Sequence, residues 1–137
     1  MKRIIVAFIC CFISIFAHAQ SGYDITINLK NCKDSIAYLT YYQFDKTYLK
    51  DTCTTVKNGK IIFNGKTKLE KGIYSLVSQQ KSIVFDFFID DQNQKLEFKN
   101  DSESTTIEGL EVLNSPIQNN FINYLKFVNK QNADFIA

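Results

Sequence analysis

The reactive side chains of this sequence are few, and their spacing removes most of the chemistry they could perform. Cys32 and Cys53 have 20 residues between them, so the two-cysteine redox loop CxxC is missing. Two readings stand for the pair. A disulfide would contribute roughly 3 kcal/mol in the chain-entropy account; otherwise these are separate thiols acting as small apolar residues. The only His is His18 and the only Arg is Arg3, both near the start. Serine nucleophiles therefore lack a histidine base, and neither GxSxG nor a glycine-rich phosphate loop occurs. Two cysteines without histidine make no metal site unless carboxylates help, and zinc prefers four ligands. Asp90, Asp91, Gln92 and Asn93 lack the spacing, central glycine and terminal glutamate of an EF-hand, and read as a turn. Asp86, between Val84 and Phe88, reads as an edge carboxylate or one paired with lysine. The expectation is a protein with no catalytic residue, no cofactor and no metal.

A second group of residues bears on binding. Tyr41, Tyr42, Phe44 and Tyr48 cluster around an expected turn. They read either as cross-strand pairs holding a sheet together or as exposed rings able to stack on sugars or an apolar partner. Charge favours no polyanion. The chain carries 16 basic and 14 acidic residues, and setting aside Lys2 and Arg3 leaves 14 of each. A neutral chain has no electrostatic case for nucleic acid or an anionic membrane.

Lys2 and Arg3 are set aside because they open a leader. They precede an apolar run over residues 4–16, followed by Ala17, His18 and Ala19, with small residues at the −3 and −1 positions of a signal-peptidase site. The run is shorter than the roughly 20 residues needed to span a bilayer. Cleavage after Ala19 predicts a mature start at Gln20 in the periplasm or cell envelope, where disulfides persist. No later run of about 18 apolar residues predicts a membrane helix.

These residues need elements to position them. Tyr23, Ile25, Ile27 and Leu29 alternate with polar residues, the pattern of a half-buried strand. Residues 35–42 and 47–56 follow as aromatic and β-branched runs around a turn at 43–46. Asn58-Gly59 predicts a tight hairpin into residues 60–66, with Val56 across from Ile61. Residues 73–78 and 83–90 are further strands. The latter is apolar on both faces, through Ile83, Phe85, Phe87 and Ile89 and through Val84 and Phe88, and is expected mid-sheet. Leu96 and Phe98 mark another strand, and residues 105–109 a further one. Ser115, Pro116 and Gln118 predict a capped helix start with a capping box. Ile117, Phe121, Tyr124, Leu125 and Val128 make its apolar stripe.

The order of these elements resembles a β-rich domain of unknown function from the cell envelope of Bacteroidetes-type Gram-negative bacteria. The matching residues are Asp51, Thr52, Val56, Asn58, Gly59, Ile61, Phe63 and Gly65, then Phe87, Phe88, Ile89, Ile107, Gly109 and the helix from Pro116. The resemblance spans roughly residues 23–130. It implies a domain usually followed by a thioredoxin-like domain of the thiol–disulfide interchange type. With no CxxC before Ala137, that redox activity maps onto no residue here.

The expected architecture is all-β: an antiparallel sandwich or open barrel of roughly seven to eight short strands with a C-terminal amphipathic helix. The leader covers residues 1–19, the β domain 20–112, and the helix 113–137 begins a linker to a missing domain. The expected function is a non-catalytic exported accessory or binding module, a truncated or split front half of an interchange protein. It would meet a protein partner or the missing domain through Phe121, Leu125 and Val128. The alternatives are a small periplasmic redox protein using Cys32 and Cys53, and a glycan-binding surface module using the aromatic cluster.

Overall fold

The computed structural model describes residues 22–100 and 107–136. The expected leader with Ala17 and Ala19, and the expected mature start at Gln20, lie outside the described residues. Along the chain run β1 (Tyr23–Leu29), β2 (Ala37–Gln43), β3 (Lys46–Cys53), β4 (Lys60–Gly65), β5 (Gly72–Val77), β6 (Ile83–Ile89), β7 (Lys95–Asn100), a 3-10 turn (Ile107–Gly109), β8 (Leu110–Val112) and helix α1 (Pro116–Ile136). One sheet has the order β4-β1-β7-β8 and the other β3-β2-β5-β6. The fold is a β-sandwich with a C-terminal helix, and the sheets do not close into a barrel.

Alternation in the strands becomes the two inner faces. Ile25, Ile27 and Leu29 of β1, Ile61 and Phe63 of β4, and Leu96 and Phe98 of β7 are buried from one side. Leu39 of β2, Tyr74 and Leu76 of β5, and Phe85, Phe87 and Ile89 of β6 are buried from the other. The sheets meet at Phe98, whose ring centroid lies 5.3 Å from Phe85 and 5.0 Å from Phe87 in tilted contacts. Tilted rings suit the aromatic quadrupole, and each ring withdraws a large apolar area from water.

Several expectations change. Asn58 and Gly59 do form a tight turn, with φ of 52° and 74°, but no hairpin follows. Only Lys57 and Lys60 bridge across it. Val56 donates its N–H to Ser35 O at 3.2 Å, and Ile61 pairs with Ile27 of β1. Val56 and Ile61 are not partners, because the turn carries the chain from one sheet to the other. The ladders are not all antiparallel: β1 and β7 are parallel, Ile25 opposite Leu96 and Ile27 opposite Phe98. The chain reaches β7 by crossing from the other sheet rather than through a hairpin, so its direction is not reversed relative to β1. Of the strand expected at 105–109, residues 105 and 106 lie outside the described residues, and Ile107–Gly109 is a 3-10 turn before β8.

β6, expected mid-sheet, is an edge strand. Its second face is half-buried at Val84, Asp86 and Phe88, because α1 runs alongside and covers the edge. Two amides of the first helical turns stand in for missing strand partners. Gln118 Oε1 accepts the Phe88 N–H at 3.1 Å. Asn119 pairs both ways with Val112 on β8, accepting its N–H at 3.1 Å and donating to its carbonyl at 2.8 Å. Lys126 Nζ adds a bond to Leu110 O at 2.9 Å. Covering exposed edges protects a sheet from pairing with other chains. Ser115 caps the helix as expected, its Oγ accepting the Gln118 N–H at 3.4 Å. Gln118 completes no capping box, since its oxygen serves β6. The opposite edge strand, β3, is uncovered but carries Lys46 and Lys50 and a register shift opposite Leu39 and Thr40, which blunt edge pairing.

The helix docks through Gln118 and Ile122, 3% and 1% exposed. Phe121 packs half-buried on the core. Ile117 and Tyr124, placed on the buried stripe by periodicity, face solvent.

Candidate binding groove at the tyrosine-lined end

The hairpin joining β2 to β3 turns at Phe44 and Asp45, with Gln43 opposite Lys46. Every residue from 42 to 50 is exposed, so this ribbon extends past the packed core. Phe44 at its tip is 97% exposed and has a φ of 58°. A left-handed backbone is unfavourable for a bulky L-residue, and outliers of this kind concentrate at functional sites.

The aromatic residues singled out in the sequence divide into two groups. Tyr41 faces inward and joins a run of rings leading to the core: Tyr48 to Tyr41 at 5.6 Å, Tyr41 to Tyr74 at 6.0 Å and Tyr74 to Phe87 at 6.3 Å. For Tyr41 and Tyr48 the cross-strand reading holds, since they sit directly opposite each other. Tyr42 and Phe44 remain exposed and are free to contact a ligand.

Beside the hairpin lies a groove of about 300 Å³ bounded by Tyr41, Tyr42, Phe44, Glu70, Lys71 and Gly72, with Tyr74 beneath. The segment carrying Glu70 and Lys71 is pinned at its base. Buried Gln94 accepts the Leu69 N–H at 2.8 Å and donates to Leu69 O at 3.2 Å and Asp90 O at 2.6 Å. Tyr74 donates its hydroxyl to Glu70 O at 2.9 Å. Neither Gln94 nor Gly72 stood out in the sequence, because a polar turn residue and a glycine before a strand carry no local signal of a site.

The phenols here are donors. Burial, helped by the charge of Glu70 and by Tyr41, pushes the Tyr74 hydroxyl up to about 12. Tyr23 donates to Asp51 Oδ2 at 2.6 Å; burial and then that carboxylate hold its proton well above the usual tyrosine range. Neither forms a phenolate nucleophile near neutral pH.

The remaining candidates scatter. Cys32 and Cys53 are free thiols, Cys32 half-buried and Cys53 buried in the core. Cys32 lines a separate cleft between the 31–34 loop and the β5–β6 turn, whereas Cys53 sits on β3 opposite Ala37. Asp90 makes the turn the sequence implied, its Oδ1 accepting the N–H groups of Gln92 at 2.8 Å and Asn93 at 2.7 Å. Asp86 lies on an edge strand and accepts from the Ser75 hydroxyl across the ladder rather than pairing with lysine. No group of three or more His, Cys, Asp or Glu side chains is placed to hold a metal ion among the described residues. Likewise, among them no helix is long and apolar enough to cross a membrane.

Comparison with known proteins adds a family. No curated protein and no solved structure matches the chain. The family described as "Domain of unknown function (DUF4369)" matches residues 23–121, from the first residue of β1 into the second turn of α1. With most of its length covered, the sandwich and the root of its helix included, this chain belongs to the DUF4369 family.

Proposed function

We propose that this chain is a non-catalytic exported binding module that works beside a thioredoxin-like domain of the envelope thiol–disulfide interchange type. The division of α1 carries this reading. Its first turns are tied to both sheet edges and bury Ile122, while residues 129–136 are all exposed. Phe127 is 61% exposed, Phe135 92% and Ile136 84%. Leaving a large apolar side chain in water forgoes about 1.5–3 kcal/mol, which a docked protein face would return. The family match ends at Phe121, and the exposed Phe127, Phe135 and Ile136 lie beyond it, past the half-buried Phe121, Leu125 and Val128. The resemblance noted above supplies the kind of partner.

A catalytic role finds little support. Beyond the leader the sequence has no His, Arg or CxxC, and a buried Cys53 is poorly placed for thiol exchange. Export rests on the leader. Hydrogen exchange on the full chain tests the docking: amides of 127–136 should exchange fast alone and slow on mixing with an envelope thioredoxin-like protein. Strong protection of that tail in the monomeric chain alone would refute it, as would turnover of a model dithiol that Cys32→Ser abolishes.

A further inference from the structure

The outer faces of the two sheets differ in kind. On the β4-β1-β7-β8 sheet the positions pointing away from the core carry Lys60, Asp24, Lys95, Glu97, Lys99 and Glu111. That is the charged surface expected of a sheet with one side in water. The β3-β2-β5-β6 sheet departs from it. Its ladders lay three rows across the outer side. The first runs through Thr52, Tyr38, Val77 and Ile83, a register shift after Leu76 having put Ile83 opposite Val77. Val77 is buried yet lies outside the core cluster, which places it on this outer side. The middle row is Leu49, Thr40, Ser75 and Asp86, and the third is Thr47, Tyr42, Ile73 and Phe88. Leu49 is 61% exposed and Ile83 55%. Asp86 is the one charge at a paired position, and it accepts from the Ser75 hydroxyl. Lys81 reaches in from the β5–β6 turn, its Nζ 3.3 Å from the centroid of the Tyr38 ring. A contiguous apolar surface of this kind marks an interaction site.

Area and polarity indicate what covers it. Four strands about 4.8 Å apart and three rows about 7 Å apart make a face of roughly 400 Å² in plan. Two such faces, with side-chain relief added, reach roughly the 1,000 Å² total of a specific but weak interface. Apart from Asp86, the polar groups at the paired positions are hydroxyls, which donate and accept at once. The face therefore complements itself and offers no charge pattern to select an unlike partner. We propose that it is the interface of a reversible homodimer, two copies stacked face to face about a two-fold axis parallel to the strands. That axis lays β6 over the partner's β3 and β2 over the partner's β5. Tyr42 then meets the partner's Ile73, Thr40 meets the partner's Ser75, and Asp86 stands over the partner's Leu49 at the rim. An axis across the strands would instead set the two Asp86 carboxylates on each other. Lys81 swings off Tyr38 as the copies dock. None of this rests on docking through α1.

The test is sedimentation equilibrium of the full chain between about 10 μM and about 1 mM, the span of weak association. A reversible monomer–dimer equilibrium is expected. Leu49→Glu sets a carboxylate against the partner's Asp86 and should weaken the dimer about tenfold or more, with an unchanged melting temperature because Leu49 is exposed in the monomer. Leu49→Lys sets the opposite charge there and should keep the dimer within about threefold of the parent. Phe135→Ser, on the α1 tail, should dimerise like the parent. The proposal is overturned if the chain stays monomeric at the highest concentration, if the two Leu49 variants dimerise alike, or if Phe135→Ser abolishes the dimer.

Discussion

Residues 43–46 and 57–60 each reverse the chain through two central residues, yet they do opposite work. At 57–60, Asn58 and Gly59 both take positive φ, the conformation such residues adopt at little cost. Lys60 N–H bonds to Lys57 O at 2.9 Å, but the pairing stops there and the flanking strands enter different sheets. At 43–46 the central residues are Phe44 and Asp45, and Phe44 is left-handed against its preference. That turn nevertheless closes a ladder running back to Ala37 and Cys53. Turn chemistry sets how sharply a chain reverses. Where the strands go afterwards depends on the apolar faces beyond the turn. The well-suited turn is also the anchored one: Gly59 alone of its four residues is buried, and it packs on the end of β1, donor and acceptor being Leu29 N–H and Gly59 O at 2.9 Å. The strained turn projects into solvent.

Substitution at the two turns should sharpen this contrast. The largest effect is expected at Gly59. A Cβ there would lie 1.8 Å from Leu29 O, at a φ unfavourable for an L-residue, so Gly59→Ala should cost about 3 kcal/mol or more in urea denaturation. A loss of a few tenths would break the comparison, because it would show that the turn is not seated on β1. Asn58→Ala should cost about 1 kcal/mol, the usual left-handed penalty without a clash. Phe44→Gly runs the other way: at 97% exposure no burial is lost, and relief at φ 58° should stabilise the fold by about 0.5 kcal/mol.

A further effect is electrostatic, shows only at alkaline pH, and belongs to the ring series behind the strained turn. Tyr74 loses its proton at about 12 in the folded protein, against 10.0 for the ordinary phenol. The folded state therefore holds this proton more tightly than the unfolded state. The resulting stabilisation is fully present below pH 10 and is lost as pH rises from 10 toward 12. Thermal melts across that interval should fall less steeply for Tyr74→Phe than for the parent chain. Equal slopes would show that Tyr74 is not the group responsible.

Much of the strand content was legible because burial writes itself into alternation. Ile25, Ile27 and Leu29, or Phe85, Phe87 and Ile89, announce an inner face whatever lies opposite. The helix start was legible for a similar local reason, with Ser115 and Pro116 at the positions such residues favour. The groove was only half legible. The aromatic cluster was visible, but not that Tyr41 turns inward while Tyr42 and Phe44 face out. Gln94, which anchors Leu69 from 25 residues away, had no local signature at all.

The sequence by itself determined which stretches extend, which coil, and that no His or Arg follows residue 18. Only the tertiary structure decided that Asn58-Gly59 joins two sheets, that β1 and β7 run parallel, and that β6 lies at an edge beneath α1. It also decided that Gln118 and Asn119 complete sheet edges rather than a capping box. The physical reason is range. Periodicity and turn preference act over a few neighbouring residues, whereas strand partners and edge cover are chosen by whichever distant surfaces together exclude the most water and leave the fewest main-chain groups unpaired.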